Sequence, residues 1–206
     1  MKQDLLKTIK IAVMVLLAFA VISAGFLAAT KLVTKEKIAL NEKLTLLKNF
    51  NQVLPPDYYD NDPVNDIKPL KPNALFSAKN PVANLARKEA KIVTVFLRPM
   101  ARDGYSGNIH LLLAVRRDKT LAGVRVLRHK ETPGLGDSIE VRKSPWVLDF
   151  NNKSLDNPQE KNWKVKKDGG SFDQFTGATI TPRAIVKTIK STLLYVEQNY
   201  QELFYD

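Results

Sequence analysis

Cysteine is absent from the chain, which excludes a disulfide framework, a thiolate zinc site and iron–sulfur ligation. Histidine is almost as scarce, and the two residues, His110 and His129, are too few for a metal cluster. His110 lies between Ile109 and Leu111 in an alternating run, the setting of an outward or satisfied strand residue. No metal site is expected. Also missing are a helix-turn-helix, a zinc finger and an RNA-recognition signature. The 32 Lys+Arg against 21 Asp+Glu give a net charge of +11. They are dispersed in short groups at Arg116-Arg117, Arg125 to Lys130 and Lys164 to Lys167. That pattern reads as solvated faces able to meet anionic lipid or an acidic partner, with no nucleic acid among the expected partners. No nucleophile–base–orienter set is visible, so no catalytic residue is assigned.

What the sequence does have is one long apolar run. Residues Ile11 to Thr30 are uncharged and are bounded by Lys10 and Lys31. A helix of about twenty residues crosses the hydrocarbon core of a bilayer. A cleaved signal peptide competes, but its apolar region spans only about 7–15 residues. The lack of cysteine also removes lipid attachment after cleavage. A retained transmembrane helix over 11–30 behind a short basic tail, 1–10, is expected. Lys2, Lys7 and Lys10 precede it, while Lys31, Lys35, Lys37 and Lys43 follow, so the positive-inside rule casts no vote on orientation. Beyond the run, Ile38, Leu40, Leu44, Leu47 and Phe50 predict that the helix continues as a neck and stops by Pro55-Pro56. From about Asp57 to Asn84, prolines 63, 69, 72 and 81 mark an irregular connection. Neck and connection together occupy 31–90.

The remainder of the 206-residue chain, 91–206, suits one medium domain. "IVTVFL" (Ile92 to Leu97) is rich in β-branched residues. Ile109, Leu111, Leu113 and Val115 alternate with their neighbours, as do Val124 and Val126, with Asp118-Lys119-Thr120 as a hairpin turn between them. A long terminal helix follows, marked by Ile185, Ile189, Leu193, Val196 and Tyr200 at three- and four-residue steps. The pattern predicts an α+β domain, mainly antiparallel sheet with packed helices.

Two loops interrupt it. "ETPGLG" (Glu131 to Gly136) is rigid and small enough for close backbone approach to a ligand, or is simply a tight turn leaving the sheet. The Gly-x-Gly-x-x-Gly spacing of a dinucleotide fingerprint is absent. "DQFTGATITP" (Asp173 to Pro182) precedes the long helix, with Thr181 as expected N-cap and Pro182 as first helical residue. Its position at a helix N-terminus favours an anion, although a capped turn around Gly177 also accounts for it.

Taken together, the loops carry a resemblance. "DQFTGAT" resembles the flavinylation motif Asp-x-x-Ser/Thr-Gly-Ala-Thr. "GYSGNI" (Gly104 to Ile109) and "ETPGLG" accompany it in the FMN-binding domain family. The order of anchor, neck and three motifs is similar to the G subunits of the Rnf/Rsx electron transport complexes, with the C subunit of the sodium-pumping NADH:quinone reductase as a relative. The resemblance spans nearly the whole chain and is weakest between about Asp57 and Asn84. It implies covalent FMN on Thr179, attached as a phosphoester by a separate magnesium-dependent flavin transferase that uses FAD. It assigns Asp173 to recognition by that transferase, Thr176 to the Ser/Thr position, and Gly177 and Ala178 to the small positions. Glu131, Thr132, Gly134, Leu135 and Gly136 are expected to border the flavin, through Thr132 and the loop's backbone N–H groups. It further implies electron relay between ferredoxin and NAD coupled to ion movement, other complex subunits as partners, and a periplasmic domain on a bacterial inner membrane. The rivals are an anchored flavoprotein serving a regulator or another reductase, and a non-redox scaffold subunit.

Overall fold

The computed structural model describes residues 2–205. Its first element, α1, is a single helix over Lys2–Val53. The chain divides into two compact units, 1–45 and 46–206. In the first, apolar side chains from Ile11 to Phe26 are exposed. An 18-residue window of this helix has a mean hydropathy of 2.7 with none of it buried. Among the described residues it is the one helix long and apolar enough to cross a membrane. Helix α1 ends just before Pro55 and Pro56, which cannot continue it.

The second unit is built on six antiparallel strands: β1 (Ile67–Pro69), β2 (Val82–Lys88), β3 (Lys91–Leu97), β4 (Met100–Gly104), β5 (Gly107–Arg116) and β6 (Leu121–Arg128). Strands β3 and β4 lie along the same edge of β5, with Leu97 opposite Leu113 and Met100 opposite His110. They amount to one long strand interrupted at Arg98-Pro99. Strand β6 pairs with the other edge of β5, through the hairpin at Asp118-Lys119-Thr120. The sheet therefore reaches further back than residue 91, where the β-branched pattern begins. Strands β1 and β2 lie inside the stretch read as neck and irregular connection, because β2, "VANLARK", has little β-branched character and directly follows Pro81.

Both faces of the sheet are covered. Ile109, Leu111, Leu113 and Val115 pack with Ile185, Ile189, Leu193 and Val196 of α2 (Ile180–Gln198). Leu112, Ala114 and Phe96 face the other way, onto Phe50, Val53 and Leu54 at the end of α1. The Phe50 and Phe96 rings stack 4.2 Å apart. At Gly123 the helix end comes so close that a Cβ would lie 3.1 Å from the Val53 carbonyl oxygen. Helix α2 ends at Asn199, whose side-chain amide donates to the Tyr195 carbonyl. Tyr200, read as the last buried position of that helix, instead opens the short α3 (Tyr200–Phe204). The α+β reading holds.

Candidate functional site

Between β6 and α2 the chain makes short 3₁₀ turns around an aromatic cluster, and this cluster carries the second motif. Phe172 packs on Phe150 at 4.7 Å and on Trp163 at 4.8 Å. Trp146 sets its ring edge-on to Phe175 at 5.1 Å and donates its indole N–H to the Asp173 carbonyl at 2.8 Å. The start of the motif is thus pinned onto the cluster. It then reverses from Phe175 to Ala178, whose N–H donates to the Phe175 carbonyl at 3.1 Å. Gly177 holds φ +80° at the third position of this turn, where a type II turn needs glycine.

Helix α2 begins directly after it, two residues earlier than the sequence suggested. Thr179 occupies the N-cap, its carbonyl accepting the Arg183 N–H at 3.2 Å, while its hydroxyl makes no capping bond. Thr181 and Pro182 are the second and third helical residues. The expected Thr181 cap is corrected for a physical reason: that hydroxyl is fully buried and donates to the Glu131 carboxylate instead. Pro182 remains in the first turn, where its missing N–H costs nothing.

Glu131 is the joint of the three motifs. It is 4% exposed. One carboxylate oxygen accepts from Thr181 and the other accepts the Ser106 N–H of the "GYSGNI" turn at 3.0 Å. Its own N–H donates to His129 Nδ1 at 3.1 Å. Because Nδ1 accepts, the neutral ring carries its proton on Nε2, which faces Glu140 at 3.0 Å. The Glu140 carboxyl is held below its usual range, first by Arg142 and then by His129. Gly136 and Gly104 make room for the joint. A Cβ on Gly136 would lie 2.8 Å from Glu131 Oε2, and one on Gly104 would lie 3.0 Å from Oε1.

Around this joint lies a cavity of about 290 Å³ lined by Tyr105, by Glu131, Thr132, Leu135 and Gly136, and by the run from Gly177 to Thr181. Seven of the expected residues therefore meet: Glu131, Thr132, Leu135, Gly136, Gly177, Ala178 and Thr179. Three others stand outside the lining. Asp173 is exposed and pairs with Lys166 at 2.6 Å. Thr176 is exposed on the turn. Gly134, at φ +78°, shapes the first loop and gives its N–H to Asp137 at 2.8 Å. The Leu135 N–H likewise goes to the Thr132 carbonyl at 3.2 Å. With the Glu131 N–H also engaged, much of the loop's backbone is spent internally and offers a ligand fewer donors than its sequence suggests.

Tyr105, Ile180 and Thr181 are the lining residues that motif reading missed. Each lies within or beside one of the three motifs, and only the fold shows that their side chains reach one space. Tyr105, Leu135 and Ile180 are exposed at its mouth. The N-terminus of α2 opens onto the same space, and its free N–H groups and macrodipole favour an anion there. Arg183 in the first turn of α2 is committed elsewhere, to a two-pronged pair with Asp168 at 2.6 and 2.8 Å.

Comparison with known proteins bears on the same segments. The FMN-binding domain family matches residues 104–194, which hold all three motifs, and the RnfG N-terminal region matches residues 1–53. A Vibrio cholerae protein, named as the G subunit of an ion-translocating oxidoreductase complex, is 43% identical over 190 residues, covering 92% of this chain and 91% of its own length. The Pseudomonas aeruginosa protein of that name is 44% identical over 186 residues, covering 90% and 87%. The Pseudoalteromonas atlantica one is 43% identical over 192 residues, covering 93% and 89%. With its apolar N-terminal helix, its antiparallel α+β domain and identity of this extent, the chain belongs to the RnfG family, the G subunits of ion-translocating oxidoreductase complexes.

Proposed function

We propose that the chain is a membrane-anchored FMN subunit that relays electrons within an ion-translocating oxidoreductase complex, with its flavin esterified to Thr179. The residues fit that group. The cavity lies at the lower end of ligand-pocket volumes, about 300–1,000 Å³, so a flavin fills it and extends to the mouth at Tyr105, Leu135 and Ile180. An FMN phosphodiester keeps a negative charge, which the N-terminus of α2 complements.

One observation carries the choice of Thr179. Three hydroxyls flank the turn, and their circumstances differ. Thr176 lies outside the cavity. Thr181 lines it but is spent on Glu131. Thr179 lines it with a hydroxyl that no described residue engages. Attachment by a flavin transferase joins the Thr179 oxygen to the FMN phosphorus as the pyrophosphate bond of FAD breaks. AMP leaves and the hydroxyl proton is lost. The exposed Asp173 is available for that enzyme to recognise.

Bound there, the isoalloxazine supplies the one- and two-electron chemistry. The chain positions it, and Glu131 holds the two cavity loops at a fixed spacing. Residues 11–30 cross the bilayer, the helix beyond them forms the neck, and the sheet domain, whose β1 and β2 already lie within 31–90, carries the flavin. The assembly sits in a bacterial inner membrane with this domain in the periplasm, among the other Rnf subunits, and serves exchange between ferredoxin and NAD. Denaturing-gel fluorescence of the chain co-expressed with its transferase tests the reading. A yellow-green band with one FMN per chain by mass is expected, and a colourless band of unmodified mass overturns it.

A further inference from the structure

The break between β3 and β4 holds a second cavity, of about 240 Å³, which shares no residue with the flavin cleft. Apolar groups such as Val82 and Leu127 wall it, Ser77 and Asn80 add an exposed hydroxyl and amide, and Arg98 and His110 supply its basic groups. No carboxylate is in the lining. The break itself is rigid. Pro99 has no N–H to give, but its carbonyl accepts the Leu111 N–H at 2.9 Å, and the next residue, Met100, donates to the Leu75 carbonyl at 2.8 Å. Arg98 is thereby fixed at a strand end.

Arg98 is half-buried, and burial pushes its pKa down. Among the described residues it has no hydrogen bond or ion pair to offset that desolvation. Every other arginine partly withdrawn from water in this domain has a partner: Arg87 pairs with Asp66, Arg116 reaches Asn152, Arg117 the Ile92 carbonyl, and Arg125 the Gln52 carbonyl. His110 is equally without a hydrogen bond among the described residues. Burial first, and the Arg128 cation second, hold its pKa below the usual imidazole value. Two cationic or potentially cationic groups thus share a cavity without a counter-charge. Both groups still meet solvent, so an anion entering the cavity can reach them, and partial withdrawal from water strengthens its attraction to them.

We propose that this cavity is an oxyanion site, taking a phosphate or carboxylate group between the guanidinium of Arg98 and the imidazole of His110. The planar guanidinium fork suits two oxygens at once. The anion's charge favours the protonated imidazole, so binding and protonation of His110 are linked. The apolar walls admit an oxyanion carried on a small hydrocarbon body as readily as a free one.

The full-length chain in neutral detergent micelles provides the test, with inorganic phosphate and hexanoate as probes and chloride at equal ionic strength as reference. Only two histidines contribute imidazole C–H signals, and His110 is identified by the signal lost in His110→Gln. At least one probe is expected to raise the His110 titration midpoint saturably. Apparent affinity should fall about tenfold or more in Arg98→Ala and by less in Arg98→Lys, which keeps the charge but loses the fork. Arg142→Ala, a basic control outside the cavity, should respond as wild type does. A response to phosphate alone identifies a phosphate group as the occupant, and one to hexanoate alone identifies a carboxylate on an apolar body. The proposal is overturned by a midpoint that neither probe moves, by a shift that does not saturate, by equal shifts in Arg98→Ala, or by equal loss in Arg142→Ala.

Discussion

The Thr181 hydroxyl donates to the Glu131 carboxylate across fifty residues of sequence, and with the Ser106 N–H on the other oxygen it joins all three motifs at one buried group. Removing that group leaves two donors in a nearly dry place. Glu131→Ala is expected to lower stability by about 1–3 kcal/mol, the cost of leaving buried partners unmet. The covalently flavinylated fraction should fall as well. Glu131→Gln keeps the shape and an acceptor oxygen, so its loss should be smaller. Thermal unfolding followed by circular dichroism measures the first effect, and flavin absorbance per chain the second. An unchanged melting point in Glu131→Ala would show that water replaces the joint without loss.

The two glycines of the first loop should behave differently under the same substitution. In Gly136→Ala the new methyl group would meet Glu131 Oε2 at 2.8 Å and Thr181 Oγ1 at 3.0 Å, so the joint must shift. In Gly134→Ala the methyl group meets nothing within 4 Å, but φ +78° is strained for alanine. That strain costs about 1–2 kcal/mol. Gly136→Ala is therefore expected to lower both stability and flavin content, and Gly134→Ala stability alone. Equal flavin content in the two variants would argue against a joint that sets the cavity.

How much of this was legible in the sequence differs from part to part. The anchor, the neck, the β5–β6 hairpin and α2 were readable because each repeats one period over many residues. Strands β1 and β2 were not: β1 is a short, largely exposed strand paired with β2, and β2 is buried through its pairing with β3, which no local pattern records. Motif spacing pointed to seven residues of the cavity. It gave Thr181 a capping role because threonine is a favoured N-cap and proline a favoured first helical residue. Only the fold reveals that a buried carboxylate fifty positions away outcompetes the helix end for that hydroxyl. Tyr105 escaped for the same reason: "GYSGNI" marks a turn, and where the turn points is a property of the sheet.

The neck is more than a spacer, because its last turns complete the second face of the sheet. Phe50 is fully buried against Phe96. Phe50→Ala should destabilise the domain by about 3–5 kcal/mol, the range for deleting a core phenylalanine. Protein that remains folded should keep its flavin content, since Phe50 lines no part of the flavin cavity. Chemical denaturation of the full-length chain with tryptophan fluorescence reads the stability change, and a loss below about 1 kcal/mol would place the neck outside the folded core.

Acid should loosen the approach to α2 through Asp168. Its pairing with Arg183 is the leading cause that holds the carboxyl below the ordinary range. A carboxylate with a depressed folded pKa binds fewer protons folded than unfolded. Its contribution is present above the ordinary carboxylate range and is lost as pH falls through the depressed value. Both partners meet solvent, so the effect is small and weakens with salt. The melting point of wild type should exceed that of Asp168→Asn near neutral pH at low salt. The two should converge on acidification below about pH 4. A difference that persists undiminished in acid would mean that Asp168 acts by shape rather than charge.

The sharpest prediction sets the three hydroxyls against one another. Thr179→Val keeps the β-branched shape and removes an oxygen that no described residue engages, so stability should hardly change while covalent flavin disappears. Thr181→Val removes a donor to the buried Glu131 carboxylate. It should cost about 1–3 kcal/mol and reduce flavin content through loop displacement, with any adduct still on residue 179. Thr176→Val alters an exposed turn position outside the cavity and should at most slow attachment. Asp173→Ala, which also breaks the ion pair with Lys166, should lower the flavinylated fraction without moving the adduct. In-gel fluorescence after denaturation gives the fraction, peptide mass spectrometry gives the position, and melting curves separate loss of chemistry from loss of fold. Flavin on Thr176 or Thr181 in the Thr179→Val protein would show that proximity to the helix N-terminus, rather than a free hydroxyl inside the cavity, selects the acceptor.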